Sequence, residues 1–340
     1  MTDSEVIAPI TLAQLADRAG VSLATASKVL NGRTDVAPAT RARVESLLDE
    51  HGYRKRKAGP PRSRLVELVF HELESAWSLE IIRGVEDAAS EFGMSVVLTQ
   101  SGTRHAPDPD WLEGVLRRSP IAVILVFSEL PAPMAAALSA RSIPFVILDP
   151  AGDPAPGVPA VGSANWAGGL AAVRHLIDLG HKNIAAITGP EDMMCSLARI
   201  DGYRSAMGAA GLPIREEWIR YGDFHIEGGA RHARELLALP EPPTAIFAGS
   251  DLQALGVFNA ARSMGFRIPE DLSVVGYDDI PLAEWISPTL TTIHQPLDEM
   301  GREAVRLAVR LSSETVHPAP RMDLATRLVV RESTAQLVTA

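Results

Sequence analysis

Two short helical patterns joined by a glycine occupy residues 10–30, and they constrain the start of the chain more tightly than any other stretch. Gly20 suits the left-handed backbone position that ends a helix. Apolar residues recur around it at spacings of three and four, which predicts two amphipathic helices with buried faces at Leu12, Leu15, Ala16, Ala19, Ala26, Val29 and Leu30. A helix-turn-helix has this form, and its second helix enters the DNA major groove. An ordinary helical hairpin is the alternative.

The distribution of charge supports the DNA-binding interpretation. Residues 1–64 hold 11 Lys/Arg and 7 Asp/Glu, whereas the rest of the chain holds 21 and 35. A basic head on an acidic body indicates a polyanion-binding domain joined to a second domain that has a different function. A third helix is predicted over residues 36–51, and the basic run at residues 54–57 follows it directly. Such runs are usually solvated surface, but beside a candidate DNA reader we expect phosphate contacts.

From Leu65 onward, short apolar runs alternate with amphipathic stretches. The runs predict strands near residues 65–70, 95–98, 121–127, 145–148, 184–187, 219–221, 244–248 and 273–276. The stretches between them predict helices near residues 79–92, 111–118, 134–141, 167–179, 196–210, 226–239 and 253–264. Continuous apolar strands between helices are typical of parallel sheets covered on both faces. The chain is therefore predicted to be α/β, with a three-helix head and two doubly wound parallel-sheet subdomains whose strand ends face a shared cleft.

Several function classes are disfavoured by what the sequence does not contain. Cys195 is the single cysteine, so neither an internal disulfide nor a paired-cysteine metal site is predicted. The strands are not followed by a dinucleotide fingerprint, a phosphate loop or a nucleophile motif, and we expect neither an enzyme nor a bound cofactor. We find no export signal and no apolar run of about 20 residues, so we expect a cytoplasmic protein that does not enter the membrane.

Motifs along almost the whole chain resemble those of the lactose-repressor (LacI/GalR) family of bacterial transcription regulators. They are Thr11-Leu12-Ala13-Gln14-Leu15-Ala16, Val21-Ser22, Thr25-Ala26-Ser27, Gly180-His181-Lys182-Asn183-Ile184-Ala185, Arg199, Gly202-Tyr203, Ser250-Asp251, Ala254-Leu255-Gly256, Val274-Val275-Gly276-Tyr277-Asp278-Asp279 and Leu290-Thr291-Thr292-Ile293. Each motif alone is weak, whereas their order and spacing are specific. The resemblance implies a homodimeric regulator that binds double-stranded operator DNA and a small effector between the subdomains.

The resemblance also implies which residues contact DNA. They are Thr11, Ser22, Leu23, Ala24, Thr25, Ser27, Lys28, Asn31 and Tyr53, to which we add the basic run Arg54, Lys55, Arg56 and Lys57. Leu23 and Ala24 offer apolar contact to thymine methyl groups, and Lys28 could donate to guanine or hold a phosphate. Thr11 and Ser22 could instead serve only as helix caps.

The linker departs from the family pattern. Most members carry a short hinge helix with a leucine that enters the minor groove, but Gly59-Pro60-Pro61 stands here and no leucine lies between Tyr53 and Arg64. Because consecutive prolines oppose a helix, we expect the basic run to replace that contact.

Effector contacts implied by the resemblance fall after predicted strands. They are Trp77, Ser78, Asp149, Cys195, Arg199, Phe224, Ser250, Asp278 and Gln295. Arg199 and Asp278 suit vicinal hydroxyl groups, while Trp77 and Phe224, with Trp166 as a further candidate, suit the apolar face of a sugar ring. Alternatives stay open: Trp77 could belong to the core, Asp278 could form a turn, and Arg199 could pair with Asp201 or Glu191.

The sequence thus predicts a repressor of sugar-utilisation genes that a mono- or oligosaccharide releases from DNA. The predicted domains are the head at residues 1–56, a linker at 57–64 and an effector-binding and dimerisation body at 65–340. Within the body, residues 65–165 and 296–325 form one subdomain, and residues 166–292 and 326–340 form the other. A family regulator with a non-sugar effector or corepressor, a sugar-binding receptor protein and an α/β sugar enzyme are the competing hypotheses, in falling order.

Replacing Arg54, Lys55, Arg56 and Lys57 together by alanine tests the predicted phosphate contacts. We expect weaker binding to every DNA sequence, because contacts to phosphate carry no base information. The slope of log affinity against log salt should flatten by about 0.9 for each phosphate that the variant no longer neutralises. Fluorescence anisotropy with duplex DNA over a salt series measures that slope. An unchanged slope would contradict the prediction.

Overall fold

The computed structural model describes residues 12–30, 36–50, 64–71, 73, 76–101, 108–126, 130–313 and 321–337. The chain divides into two compact units, Met1–Pro61 and Arg62–Ala340. Among the described helices, none is both long and apolar enough to cross a membrane. The same residues contain no cluster of three or more His, Cys, Asp or Glu side chains that could hold a metal ion.

The described part of the first unit forms three short helices, α1 (Leu12–Arg18), α2 (Leu23–Leu30) and α3 (Pro38–Glu50). Gly20 separates the first two with a φ of +60°, as predicted for a helix stop. The helices share one small core of Leu15, Ala16, Ala19, Ala26, Val29, Val44 and Leu48. The predicted helix-turn-helix is confirmed. Thr11, Asn31, Tyr53 and the basic run at 54–57 lie outside the described residues.

Strands and helices alternate through the second unit. The strands are β1 (Leu65–Phe70), β2 (Ser95–Gln100), β3 (Ala122–Val126), β4 (Phe145–Leu148), β5 (Ala160–Ser163), β6 (Ile184–Thr188), β7 (Ile219–Tyr221), β8 (Ala245–Ala248), β9 (Ser273–Asp278), β10 (Thr291–His294), β11 (Arg321–Leu324) and β12 (Arg327–Val329). The helices are α4 (Ala76–Glu91), α5 (Pro109–Arg118), α6 (Ala132–Ala140), α7 (Asn165–Asp178), α8 (Met194–Ala209), α9 (Ile226–Leu237), α10 (Asp251–Ser263), α11 (Leu282–Trp285) and α12 (Leu297–Ser313), with a 3-10 turn at Glu216–Trp218.

The first sheet has the strand order β11-β5-β4-β3-β1-β2 and is parallel throughout the described residues. Side chains of its central strands alternate between two cores. Val66, Leu68 and Phe70 of β1 pack with α4 and α12 on one face, whereas Val69 packs with α5 and α6 on the other. The continuous apolar runs seen in the sequence are therefore strands buried on both faces.

The second sheet has the order β12-β10-β9-β8-β6-β7, and only its described edge pair β10–β12 is antiparallel. Ile246 and Ala248 of β8 face α9 and α10, whereas Ala245 and Phe247 face α7 and α8. Each sheet thus lies between two helical layers, which confirms the doubly wound α/β fold. The chain passes between the sheets after β5, after β10 and after β11.

Several boundaries differ from the sequence predictions. Helix α4 begins at Ala76 rather than near Leu79, so Trp77 and Ser78 lie in its first turn and not in a loop. Trp77 and Ile81 are one turn apart and both are buried, which extends the apolar face toward the N-terminus. The sequence patterns above predicted none of β5, β10, β11, β12, α11 and α12.

An ion pair between a buried carboxylate and a half-buried guanidinium near the edge of the first sheet generates a stability prediction. Glu67 is fully buried on the α5 side of β1, where it accepts hydrogen bonds from the Arg118 guanidinium and from the Thr99 hydroxyl. The Arg118→Met variant removes the cation from beside a buried carboxylate and should lose about 2–3 kcal/mol of unfolding free energy, less than a fully buried pair would because Arg118 is half-buried. Denaturant unfolding measures the loss.

The double variant Glu67→Leu with Arg118→Met is the matched control. It removes both charges together and should recover most of the lost stability, because hydrophobic replacement of a buried pair is often neutral. Equal destabilisation of the single and double variants would show that side-chain volume, not the charge pair, matters at this position.

Candidate functional site

The carboxyl ends of strands from both sheets surround a cavity of about 260 Å³. Its lining comes from the end of β1, the start of α4, the β6–α8 and β8–α10 connections, the turn after β7 and the end of β9. The lining residues are Phe70, His71, Trp77, Ser78, Pro190, Met193, Cys195, Arg199, Asp223, Phe224, His225, Ser250, Leu252 and Asp278. We call this cavity the cleft. It lies where doubly wound folds bind ligands.

Arg199 is the buried cation of the cleft, with 3% of its surface exposed. Its Nε donates to Asn165 Oδ1 at 2.9 Å, its Nη1 to the Gly249 carbonyl and its Nη2 to Gln295 Oε1 at 3.4 Å. The guanidinium carbon lies 3.7 Å from the centre of the Tyr277 ring and 5.4 Å from that of Phe224. These contacts hold the guanidinium in place. Its hydrogen-bond partners are therefore Asn165, Gly249 and Gln295, and not Asp201 or Glu191, the alternative that the sequence left open.

Asp149 and Gln295 do not line the cleft but form a layer behind it. Asp149 is buried at the end of β4 and has a φ of +47°. Burial raises the pKa of its carboxyl to about 6, although the Arg199 charge opposes the rise, as do Gln295 and Asn165. Gln295 accepts from Arg199, and the Arg199 charge acts on the Asp149 carboxyl, so both residues interact with the guanidinium from behind the cleft.

Asp278 is the buried carboxylate that faces the cleft, at the end of β9. Burial raises the pKa of its carboxyl to about 7, and the charge of Asp149 adds to the rise. The Arg199 charge and a backbone N–H of Asp251 oppose it by stabilising the anion. Asp278 and Asp279 have φ values of 115° and 61°, which non-glycine residues rarely adopt. Strain of this kind is common where a side chain must be aimed at a ligand.

Ser250 and Phe224 are linked to each other. The Ser250 hydroxyl accepts from the Gln253 backbone N–H at 3.0 Å, which caps α10, and donates to the Phe224 carbonyl at 2.9 Å. Phe224 has a φ of 67°, and its ring fills the space that a side chain at Gly189 would occupy. The predicted contact Ser250 therefore also fixes the aromatic wall.

Cys195 lines the cleft from the first turn of α8 and is buried. Burial raises the pKa of its thiol to about 12, with the Asp149 charge adding to the rise, so the thiol stays neutral at pH 7. Trp166, the further aromatic candidate, is 46% exposed and donates from its Nε1 to Ser205 Oγ at 3.3 Å. It does not line the cleft, and that expectation is wrong.

Sequence patterns missed part of the lining. Phe70, His71, Pro190, Met193, Asp223, His225 and Leu252 were not named as candidates. Asp223 Oδ1 accepts from the His225 backbone N–H at 2.9 Å, so this pair forms the turn that leads from β7 into α9. A polar residue after a predicted strand, such as Asp223, could have been named as a candidate ligand contact. In a sequence, however, such a residue cannot be distinguished from one that only forms a turn.

In the first unit, α2 presents the predicted DNA contacts along one side. Leu23 is 53% exposed, Ala24 and Lys28 are exposed, and Thr25 and Ser27 are half-buried. Ser22 Oγ accepts from the Thr25 backbone N–H at 3.2 Å and lies 2.9 Å from the Thr25 hydroxyl oxygen. Ser22 is therefore a helix cap, and a capped helix start also suits a phosphate.

Comparison with known proteins decides the family. The family of bacterial regulatory proteins, lacI family, matches residues 11–55, and a periplasmic binding protein-like domain matches residues 173–334. The HTH-type transcriptional regulator CelR of Thermobifida fusca is 38% identical over 336 residues, which cover 95% of this chain and 98% of CelR. The chain belongs to the LacI family.

Solved structures of this LacI-family fold extend the comparison. A transcriptional regulator CelR–cellobiose complex matches with a TM-score of 0.72 and 37% identity, over 95% of this chain and 99% of that one. A lac repressor dimer bound to operator and the anti-inducer ONPF matches with a TM-score of 0.69 and 27% identity, over 96% of this chain and 100% of that one. The chain is thus a DNA-binding transcriptional regulator and not an enzyme.

The raised pKa of Asp278 predicts how stability depends on pH. In the unfolded chain this carboxyl ionises near pH 4, whereas in the fold it keeps its proton until about pH 7. Asp278 therefore lowers stability progressively between those values, by as much as about 4 kcal/mol above pH 7. The Asp278→Asn variant should melt at a higher temperature than the parent at pH 8 and at nearly the same temperature at pH 4.

Thermal unfolding followed by circular dichroism across this pH range tests the effect. Asp201→Asn is the control, because the Asp201 side chain is 63% exposed and should show little difference at any pH. A constant gap between Asp278→Asn and the parent from pH 4 to pH 8 would contradict the burial argument.

Proposed function

We propose that this regulator is a homodimeric repressor of sugar-utilisation genes, and that a neutral sugar in the cleft releases it from operator DNA. The observation that carries the proposal is the pairing, in one cleft, of buried polar groups at Arg199 and Asp278 with aromatic walls. Ligand sites combine mostly apolar walls with a few fixed polar groups in this way. Similarity to CelR makes cellobiose the first sugar to test.

The charges of the cleft favour a neutral ligand. Asp223 and Asp278 line it, and Asp149 lies directly behind it. Arg199 is the one Lys or Arg among its described lining residues, and its hydrogen bonds are made to Asn165, Gly249 and Gln295. A phosphate or carboxylate group entering the cleft would meet acidic side chains, whereas sugar hydroxyl groups can donate to them.

The aromatic residues supply the other half of sugar recognition. Phe70 ends β1 of the first sheet, and Trp77 lies on α4, which packs against that sheet. Phe224 follows β7 of the second sheet, and all three residues line the cleft. An aromatic face packs against the C–H groups of a pyranose and excludes water from them. A sugar held between these rings would contact both sheets at once and would favour an arrangement in which they are close together.

On the DNA side, we propose that α2 reads operator bases and that two copies of the chain bind a near-palindromic site. Leu23 and Ala24 would contact thymine methyl groups, and Lys28 a guanine or a phosphate. Ser22, Thr25, Ser27 and Asn31 would contact phosphates or bases. Thr11, Tyr53 and the 54–57 run would also contact the DNA, the basic run through phosphates. We retain the sequence boundaries of 1–56 for the head, 57–64 for the linker and 65–340 for the body, and a cytoplasmic location.

Release requires only a modest difference in energy. A sugar that binds the released form more tightly by about 1–3 kcal/mol changes DNA affinity by about 5- to 150-fold. By reciprocity, operator DNA must weaken sugar binding by the same factor. A family member with a non-sugar effector would show neither effect with any sugar.

The test is a titration of the complex between the full-length protein and an operator selected in vitro from random duplexes. We expect cellobiose to lower DNA affinity at least about fivefold, within the usual range of allosteric coupling. The Asp278→Ala variant should bind the same operator but fail to respond, because its cleft lacks the hydroxyl acceptor. Fluorescence anisotropy measures both quantities.

Asp201→Ala is the matched control, because it removes an exposed carboxylate that lies outside the cleft. It should respond to cellobiose like the parent. If Asp278→Ala responds as fully as the parent, the sugar site is wrong. If the parent binds DNA but responds to no mono- or disaccharide in a panel, the proposed sugar effector is wrong. The assignment as a DNA-binding regulator is not affected by that result.

A further inference from the structure

We infer that Asp251, which does not line the cleft, is a positioning residue that holds the Asp278 carboxylate toward the ligand; this rests on the proposed role of Asp278 in effector binding. Asp251 is the first residue of α10 and is completely buried. Its side chain contacts the turn after β9 and the strand β10, the two segments next to Asp278. The structure thus connects one buried carboxylate to the position of another.

The Asp251 side chain does not serve its own helix. An Asp at this position commonly interacts with free backbone N–H groups of the first turn. Here Ser250 caps α10 instead, through the Gln253 backbone N–H. The Asp251 carboxylate accepts from the Ile280 backbone N–H at 2.9 Å and from the Thr292 hydroxyl at 2.6 Å. One of its oxygens therefore holds the turn that follows Asp278, and the other holds β10, the strand that pairs with β9.

That turn needs an external restraint. Asp278 and Asp279 both have positive φ values, and for non-glycine residues such conformations cost of order 1–3 kcal/mol each. The bond from Ile280 N–H to Asp251 fixes the residue that follows them. The backbone of Asp251 also lies close enough to the Asp278 carboxylate to lower its pKa. Asp251 thus restrains the backbone of the turn through Ile280 and lies beside the side chain of Asp278.

The surrounding residues leave space for this arrangement. Gly276 lies on β9 beside the Asp251 carboxylate, and a Cβ atom there would overlap Asp251 Oδ1. Its φ is not in the left-handed region, so the glycine is required for space and not for backbone conformation. Placing Asp251 beside Asp278 is also electrostatically unfavourable, since burial and the Asp278 charge both raise the pKa of Asp251.

Other charged groups face the same turn. Arg199 approaches Asp278 from α8, and Asp149 approaches from the end of β4. Asp279 faces away toward His294 Nδ1, at 3.0 Å from its Oδ2, and toward the Arg331 guanidinium, at 2.7 Å from its Oδ1. The Asp251 substitutions below leave all of these groups in place.

The first test compares Asp251→Asn with Asp251→Ala by isothermal titration with cellobiose. An Asn oxygen can still accept from Ile280 N–H, and its amide can donate to Thr292, whose hydroxyl can accept. We expect Asn to keep cellobiose affinity within about threefold of the parent at pH 8, and Ala to weaken it by about tenfold or more, the factor that 1.4 kcal/mol gives. Equal loss in both variants would overturn the inference.

Gly276→Ala provides a variant in which no polar group is changed. Its methyl group would overlap Asp251 Oδ1 most closely, and also the side chains of Leu290 and Thr292, which is the Asp251 partner on β10. The variant should therefore weaken cellobiose binding as Asp251→Ala does. Gly276→Ala therefore tests the inference even if Asp251→Ala fails to fold. A folded Gly276→Ala variant with the cellobiose affinity of the parent would overturn it.

A measurement without ligand separates this inference from the proposed function. The difference in melting temperature between Asp278→Asn and the parent is measured from pH 4 to pH 8, and the same difference is measured again when both chains also carry Asp251→Asn. Removing the Asp251 charge should make Asp278 ionise more easily, so the difference at pH 8 should shrink in the Asp251→Asn background. Identical differences in both backgrounds would show that the two carboxylates do not act on each other. If instead the difference shrinks but no sugar binds the parent, Asp251 does act on the Asp278 carboxylate and the proposed sugar effector is wrong.

Discussion

One buried guanidinium makes the chemistry of the cleft compatible with a folded protein. Asp149 from the first sheet and Asp278 from the second are both removed from water, and the charge of Arg199 lowers the pKa of each. Without a buried cation between them, neither carboxylate could ionise at an acceptable cost. Because Arg199 is itself held by Asn165, Gly249 and Gln295, the charge cannot move toward one carboxylate at the expense of the other. The two sheets are therefore connected electrostatically as well as through the chain.

Unusual backbone conformations concentrate around the same cleft. Asp149, Phe224, Asp278 and Asp279 all have positive φ values, and each follows or ends a strand. The interiors of the sheets, by contrast, consist of small and branched apolar side chains that alternate between two cores. The fold thus combines regular, stable layers with strained turns at their carboxyl ends. That division of roles is expected when a stable core supports a ligand site that is costly to form.

How much of this could be predicted from the sequence depended on periodicity. Central strands such as β3 and β8 were found because they are continuous apolar runs. Strands β11 and β12 were missed because they are short edge strands with exposed charged residues, which carry no such signal. Helix α12 does have apolar spacing at Leu297, Met300, Ala304 and Ala308, and it could have been predicted. The candidate site was predicted from the family resemblance. Local sequence could not separate residues that line the cleft, such as Arg199, from those behind it, such as Asp149, because burial depends on distant strands.

The order in which the chain crosses between its sheets has a consequence during synthesis. The strand β11 completes the edge of the first sheet and β12 that of the second, and both lie within residues 321–329. A ribosome has therefore released the helix-turn-helix, and nearly all of both sheets, before either sheet can acquire its last strand. A nascent regulator could hold a formed DNA-reading head while its sensing body is still unfinished, so premature termination near the end of translation would damage both halves of the sensor but leave the reader intact.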